Sequence, residues 1–576
     1  MAGQPKAPFY LALAVVVLGL IGFAVYRGMD VIAPKPGGQG GDAPAFDPNE
    51  LAQAAEASDA TSVTTVKEYT FRPEEKLPPI KGVSAYRPLD DDTVRFALNV
   101  WAGWGPIILA NEGFKPGKEW KTKDGKPFKV ELVLSDDPVA MRNSYAAGEV
   151  HIGWATLDMV PLFMEGFVTA KDSRVMPRIY QQIDWSNGGD GIVVRENIKT
   201  VADLRGKKLV LAQNSPSQYF ALNMIVAGGV QPSEVEMVYT NTAFEAARAF
   251  EVDKTIAGAV SWAPDIYKLS EIKGNRMLVT TQTANKLIAD VWFARADFAK
   301  DHPDKIEALV RGIFDAMVDL KDQTKKQECA KLMGDGYGIP ASECINMFGD
   351  AHNTNWAENY QFFLNQNNPT NFEHVWRQAY YLYRRVGSIT HQPVAFDQVM
   401  DFSVIEKLGK EKKYSSQKNE YQLTLAPKAV SQIKAESDEI LTNTVVIHFY
   451  PNSWDLKKTV TKDVDGKTVE ELYDPSVDLV LEEIAKLTEQ FGAARVIIEG
   501  HTDSSMQGQI PASLVKELSL NRANAVKQAL INKYSLDPNK FSAAGMGWDV
   551  PADPDDAENH VKNRRVEVKV YSAEKG

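Results

Sequence analysis

Four short apolar runs decide the architecture of the middle of this chain: TVRFALNV (Thr93–Val100), FKVELVLS (Phe128–Ser135), GIVVR (Gly191–Arg195) and KKLVLAQ (Lys207–Gln213). Each is short, apolar and rich in branched side chains, the pattern of a buried strand. Helical stretches such as Ser217–Ala227 and Pro303–Leu320 lie between and after them. In the second, Ile306, Leu309, Val310, Ile313 and Met317 recur at helical spacing. Alternation of this kind predicts an α/β fold with a mainly parallel sheet covered by helices. Roughly 300 residues are too many for one sheet, so residues 91–400 are expected to form two α/β lobes.

Towards the C-terminus, residues 401–440 are polar and lysine-rich (EKLGKEKKYSSQKNE) and read as a connector. Residues 441–576 read as a smaller α/β domain. VVIHFY and RVIIEG suit strands, and Val477, Val480, Leu481, Ile484 and Leu487 form a helical stripe. Ala523, Val526 and Leu530 mark another helix, and Val566, Val568 and Val570 alternate with charge in a final strand. Towards the N-terminus, residues 28–90 are rich in Pro, Gly and Ala and read as a linker. Before it, Pro8–Tyr26 is one apolar stretch, long enough at about 20 residues to span a bilayer. Its length and its bulky Val25-Tyr26-Arg27 exit favour an uncleaved single-span anchor over residues 1–27 rather than a signal peptide.

The chain has 576 residues and a formal net charge of −12, which makes nucleic acid an unsuitable partner. Two cysteines exclude a zinc-ribbon array or an iron–sulfur protein. Cys329 and Cys344 are candidates for one disulfide in an oxidising compartment. No Ser–His–Asp arrangement, Gly-rich phosphate loop or HExxH is present, so neither an enzyme nor a cofactor is expected. His151 is a lone histidine and reads as structural. His501 has no second His or Cys nearby in sequence, and no metal is expected.

The most informative residues lie near the C-terminus: Gly500-His501-Thr502-Asp503, Leu518-Ser519 with Arg522-Ala523, Gly545-Met546-Gly547, and Asn563-Arg564-Arg565-Val566. A carboxylate at a strand end and an arginine on the next helix can grip a zwitterion, the arginine taking a carboxylate through its fork. This set resembles the OmpA C-terminal-like, peptidoglycan-binding domain (G-x-T-D, N-x-x-L-S-x-x-R-A, G-x-G, N-R-R-V). The resemblance implies that Asp503 and Arg522 hold the amino-acid end of diaminopimelate on the stem peptide, with Thr502 in the motif and Arg564 or Arg565 assisting. Two departures stand out: a longer Asp503–Arg522 interval, and Val515 where the family often has Asn. A further insertion follows the first strand, around Thr459–Asp474.

The central region resembles periplasmic solute-binding proteins of the nitrate/sulfonate/taurine type. The resemblance rests on VRFALNVWAGWGPIILANEGF, YAAGEVHIGWAT, IKTVADLRGKKLVLAQNSPSQYFA and AVSWAPD. It implies two lobes that close on a small molecule, with crossover strands near 185–195 and 280–295. Candidate cleft residues are Trp101, Trp104, Asp184, Trp185, Ser215, Ser217, Trp262 and Asp265. The bland alternative for each Trp is core packing. Asp184 and Asp265 suit a cationic or amine-bearing ligand, whereas the helix N-terminus after Ser215 suits an anion; an amphoteric ligand satisfies both.

Together these readings describe a protein anchored in the inner membrane of a Gram-negative bacterium, with its bulk in the periplasm. It would bind a small solute and attach to peptidoglycan, acting in sensing or in transport with a membrane permease. Two alternatives remain open: a subunit of a stator-like motor beside a multi-span partner, and a structural spacer whose cleft is filled. The first needs an intramembrane carboxylate, and Pro8–Tyr26 contains none.

Overall fold

The apolar runs of the central region become the middle strands of two separate sheets. The computed structural model describes Glu56 and residues 69–74, 76–464 and 467–573, all within the unit Glu50–Gly576. The expected anchor lies outside the described residues. Among those residues, no helix is long and apolar enough to cross a membrane. The first lobe holds seven strands in the order Ala351–Asn353, Pro177–Ser186, Ala289–Arg295, Ile152–Thr156, Thr93–Leu98, Pro127–Leu134, Trp120–Lys121. The second holds five: Asn275–Thr280, Asp190–Arg195, Gly258–Trp262, Lys208–Ala212, Glu236–Thr240.

Both sheets are mixed rather than mainly parallel. Thr93–Leu98 runs parallel to both neighbours, but Ala289–Arg295 and Pro177–Ser186 pair antiparallel. The reason is the chain path. Each lobe is completed by strands arriving from the other lobe, and these run against the local direction. The crossovers fall where expected, between Ser186 and Asp190 and between Thr280 and Ala289. Thr281 ties them together: its Oγ1 accepts from the backbone N–H of Gly188 (2.9 Å) and of Asp190 (3.1 Å). It also lies 2.8 Å from Ser186 Oγ.

The described part of the expected linker beyond Glu56 is not free. Residues 69–74 and 76–89 run as a strap over both lobes. Tyr69 donates to Val226 O (2.8 Å) on one, and Pro78 O accepts from Arg142 (2.7 Å) on the other. The backbone N–H of Ser84 donates to Ala146 O (3.1 Å). The connector is also seated: Tyr421 stacks on His352 at 3.9 Å.

The C-terminal domain is a four-stranded sheet, Glu439–Val445, Val566–Tyr571, Arg495–His501, Phe541–Gly547, backed by helices Val477–Gln490 and Ala512–Tyr534. Its first strand ends at Val445, so of VVIHFY only that valine is paired. The inserted stretch forms a separate two-stranded ribbon, Thr459–Val464 with Lys467–Leu472. Gly500 and Gly545 are required by packing. A Cβ on either would collide with the backbone of the long helix at Ser519 or Lys516. The domain touches the second crossover: Lys286 N–H donates to Gln490 O (3.1 Å), and Thr283 Oγ1 accepts from Ala573 N–H (3.2 Å).

The expected Cys329–Cys344 bridge is not formed. Both thiols are free and buried. Cys329 instead donates to Gly105 O at 3.2 Å.

Candidate functional site

Two sites emerge. In the C-terminal domain, Asp503 sits just past the strand Arg495–His501, and Arg522 projects from the long helix. Both are buried. Arg522 is fixed by donation to Ser453 O (2.9 Å) and by the Phe449 ring beneath its guanidinium at 4.9 Å. Its fork holds a carboxylate supplied by the chain itself, that of Glu56, at 2.9 and 2.5 Å. Glu56 also exchanges two backbone–side-chain bonds with Asn452, at 3.2 and 3.1 Å. Burial opposes the charge of Glu56, but Arg522 and Arg564 outweigh it and hold the carboxyl below its ordinary range.

Arg564 stands between two carboxylates, 2.5 Å from Asp503 and 3.7 Å from Glu56. Asp503 also accepts from Ser505 N–H at 2.9 Å. Thr502 is buried beside it with an unpartnered hydroxyl. Arg565 points elsewhere, pairing with Glu567 at 2.7 Å, so of the two arginines only Arg564 reaches the site. The sequence contained no signal for Glu56, which lies in a region read as linker. His501 has Glu499 and Glu567 as neighbours, a set able in principle to hold a metal. Those carboxylates already carry Lys434 (2.8 Å), Lys569 (2.9 Å) and Arg565 (2.7 Å). Burial, then Arg565, pushes the His501 imidazole down to about 4. This is an ion-pair network rather than an open ligand set.

His151 is structural as expected. It accepts from Arg95 N–H at 2.9 Å, and Arg87 O lies 3.0 Å from its other nitrogen.

Between the lobes lies a narrow, nearly closed cavity with about 30 Å³ of free room, space on the scale of a water molecule, so a larger solute needs the lobes to part. Trp101, Ser215 and Trp262 line it, as the sequence led one to expect. The other five candidates do not. Trp104 is fully buried against Phe96, its indole N–H donating to Asn99 (2.7 Å). Trp185 packs edge-on to Phe362 at 5.5 Å. Ser217 is fully buried, its hydroxyl without a partner. Asp265 opens the helix Asp265–Glu271 beside Glu245, Arg248 and Lys268, in a different surface depression. Asp184 stands behind the wall, receiving the Trp101 indole N–H at 3.2 Å. Gly103 faces it, where a Cβ would collide with the carboxylate.

The lining that sequence reasoning missed includes three carboxyls, Asp136, Asp190 and Asp290, and Trp154, beside uncharged residues such as Thr156, Met159, Asn241 and Ile288. Asp190 begins a strand at the first crossover, and Asp290 lies opposite Asp184 in the strand register. Burial pushes Asp190 and Asp158 up to about 7. Asp184 and Asp290 share a side-chain hydrogen bond, and burial raises both. Being polar residues at ends of apolar strands, they carried no local signal distinguishing them from helix caps.

The fold and its sites thus define a two-lobed α/β binding-protein module joined to an OmpA-type domain. Residues 126–325 match the family described as NMT1/THI5 like, and residues 449–565 match the OmpA family. The chain is 28% identical over 210 residues to the taurine-binding periplasmic protein of Escherichia coli (strain K12), covering 34% of this chain and 62% of that one. It is 37% identical over 105 residues to outer membrane protein Omp38 of Acinetobacter baumannii, covering 18% of this chain and 27% of that one. Among solved structures, the aliphatic sulphonate binding protein SsuA of E. coli aligns over 54% of this chain and 97% of its own (18% identity, TM-score 0.40). The nitrate-binding protein NrtA of Synechocystis PCC 6803 aligns over 56% and 89% (15% identity, TM-score 0.41).

Proposed function

We propose that this is an envelope protein that captures a small solute between the lobes of its central module and holds peptidoglycan through its C-terminal domain. Solute capture would be reversible, by closure about the two crossovers, without covalent chemistry. Held at the wall and by an N-terminal anchor, such a protein would sense the solute or deliver it to a fixed membrane partner rather than diffuse as a carrier.

One observation carries the wall-binding reading. Arg522 and Arg564 already grip a peptide-borne carboxylate, that of Glu56, in a buried pocket. A stem peptide ending in diaminopimelate presents the same group, and a bidentate arginine fork is suited to it. On this reading Glu56 keeps the place of the stem peptide. Co-sedimentation of the full chain with purified peptidoglycan tests it. The chain should pellet with the wall, and Arg522→Ala should stay in the supernatant while keeping the parent's melting temperature within a few degrees. Equal pelleting of the two would overturn the reading.

A further inference from the structure

The chemistry of the interlobe cavity is one-sided. Asp136, Asp190 and Asp290 line it, and Asp158 and Asp184 stand immediately behind. Asp350 and the Tyr267 hydroxyl, bonded to each other at 2.6 Å, complete the titratable groups that face Asp190. Among the described residues, no Lys, Arg or His lines the cavity. Asp190 is almost wholly buried; one carboxylate oxygen accepts from Ser186 (2.7 Å), and the other has no partner. A buried acceptor of that kind is costly unless a donor arrives.

Several of the groups that could receive an anion are already engaged, although the Ser217 hydroxyl is not. Two helices aim their N-termini at the cavity, Pro216–Ala227 after Ser215 and Ala243–Val252 after Thr242. At the first, the Asn214 N–H donates to Gln218 (2.6 Å), while the Ser215 hydroxyl donates back to Ala212 O (2.8 Å). At the second, Thr242 Oγ1 accepts from Glu245 N–H (3.2 Å). The Glu245 carboxylate takes the Asn241 N–H (3.0 Å), placing a negative charge where an anion would sit. Trp101, Trp154 and Trp262 are also among the walls, and an indole ring attracts cations.

We propose that the cleft takes a small organic cation, its ammonium or guanidinium N–H groups received by Asp190 and Asp290 between the tryptophan walls. This rests on the solute-capture reading above and narrows it to a ligand class unlike the sulfonates and oxyanions named for its structural neighbours. Cation entry would also discharge protons, because carboxylates held partly protonated by burial ionise against the incoming charge.

Thermal-shift and calorimetric titration of the full chain test this with putrescine, agmatine and ethanolamine on one side, and ethanesulfonate, nitrate and sulfate on the other. Taurine joins them as the amine-plus-sulfonate probe. The expected result is saturable binding of at least one amine. Its affinity should rise as pH goes from 6 to 8, with proton release seen as a buffer-dependent heat at pH 7. Asp190→Asn should weaken binding at least tenfold, and Trp262→Ala several-fold. Asp265→Asn, outside the cavity, should leave it unchanged. Binding of ethanesulfonate or nitrate without any amine would overturn the cation class and leave solute capture standing. Binding of taurine alone, insensitive to Asp190→Asn, would do the same. Binding of nothing in either set, with native mass spectrometry of the periplasmic protein also finding no bound small molecule, would overturn both.

Discussion

Removing the Glu56 carboxylate should increase the affinity of the C-terminal site for stem peptides. The size of the effect follows from what holds Glu56. Two charge-assisted bonds to Arg522 are worth about 1.5–3 kcal/mol each, so a free carboxylate ligand of this kind would bind with a Kd on the order of 1 mM. A group on the same chain acts at an effective concentration of about 1–10 mM when the connection is short. Glu56 therefore fills the site roughly 50–90% of the time, and the apparent affinity for an outside ligand is reduced in proportion to the empty fraction. Glu56→Gln should tighten binding of a diaminopimelate-terminated tripeptide about 2- to 10-fold, read by isothermal titration calorimetry at pH 7. Arg522 and Arg564 should remain essential in that background. The clip should also respond to acid in a defined direction. A carboxyl held below its ordinary value contributes stability that is full above about pH 4.5 and fades as pH falls through the lowered value, so near neutrality the competition is undiminished. Unchanged affinity in Glu56→Gln would refute the competition. Weaker affinity would make Glu56 part of the binding surface instead.

Arg564→Ala should cost stem-peptide binding at least tenfold, whereas Arg565→Ala should leave it within about twofold. Arg565→Ala should still destabilise the domain by about 1–3 kcal/mol, because Glu567 loses its partner; calorimetry and thermal unfolding separate the two effects. Without solute, the melting temperature should fall as pH rises from 5 to 8. Asp158 and Asp190 are raised to about 7 by burial, so their contribution is full below their unfolded value near 4 and lost as pH rises through 7; Asp190→Asn should flatten the profile. Native protein should not react with a thiol reagent at pH 8, burial having pushed the Cys329 thiol up to about 12, while the denatured chain should yield two thiols; a mass two daltons lighter on isolation would show a bridge instead.

What was legible in the sequence was whatever local pattern decides. Apolar runs and helical stripes located the strands and helices, while the change of sheet at 185–195 and 280–295 came from the resemblance to two-lobed binding proteins rather than from local pattern. The glycines of the C-terminal motifs were legible as motif members, but their reason was not. It is the approach of a helix backbone to Gly500 and Gly545, which no spacing encodes. Mixed sheets were missed for a related cause: strand direction depends on which lobe the chain has just left.

The candidate sites divide along the same line. Trp101 and Trp262 reach the cleft and Trp104 and Trp185 do not, although all four sit near predicted strand ends. Side-chain direction at a strand end is set by one residue of register, which a loop-tip argument does not resolve. Asp190 and Asp290 were invisible for a different reason. An aspartate at the start or end of a strand ordinarily meets water, and only the facing lobe removes that water. Glu56 is the extreme case, meeting Arg522 across almost the whole described chain. In each instance the environment of the group, its burial or its partner, depends on chain far from it in sequence. The residue types could be read from the sequence, but the charge balance that makes them a site could be read only once the modules were brought together.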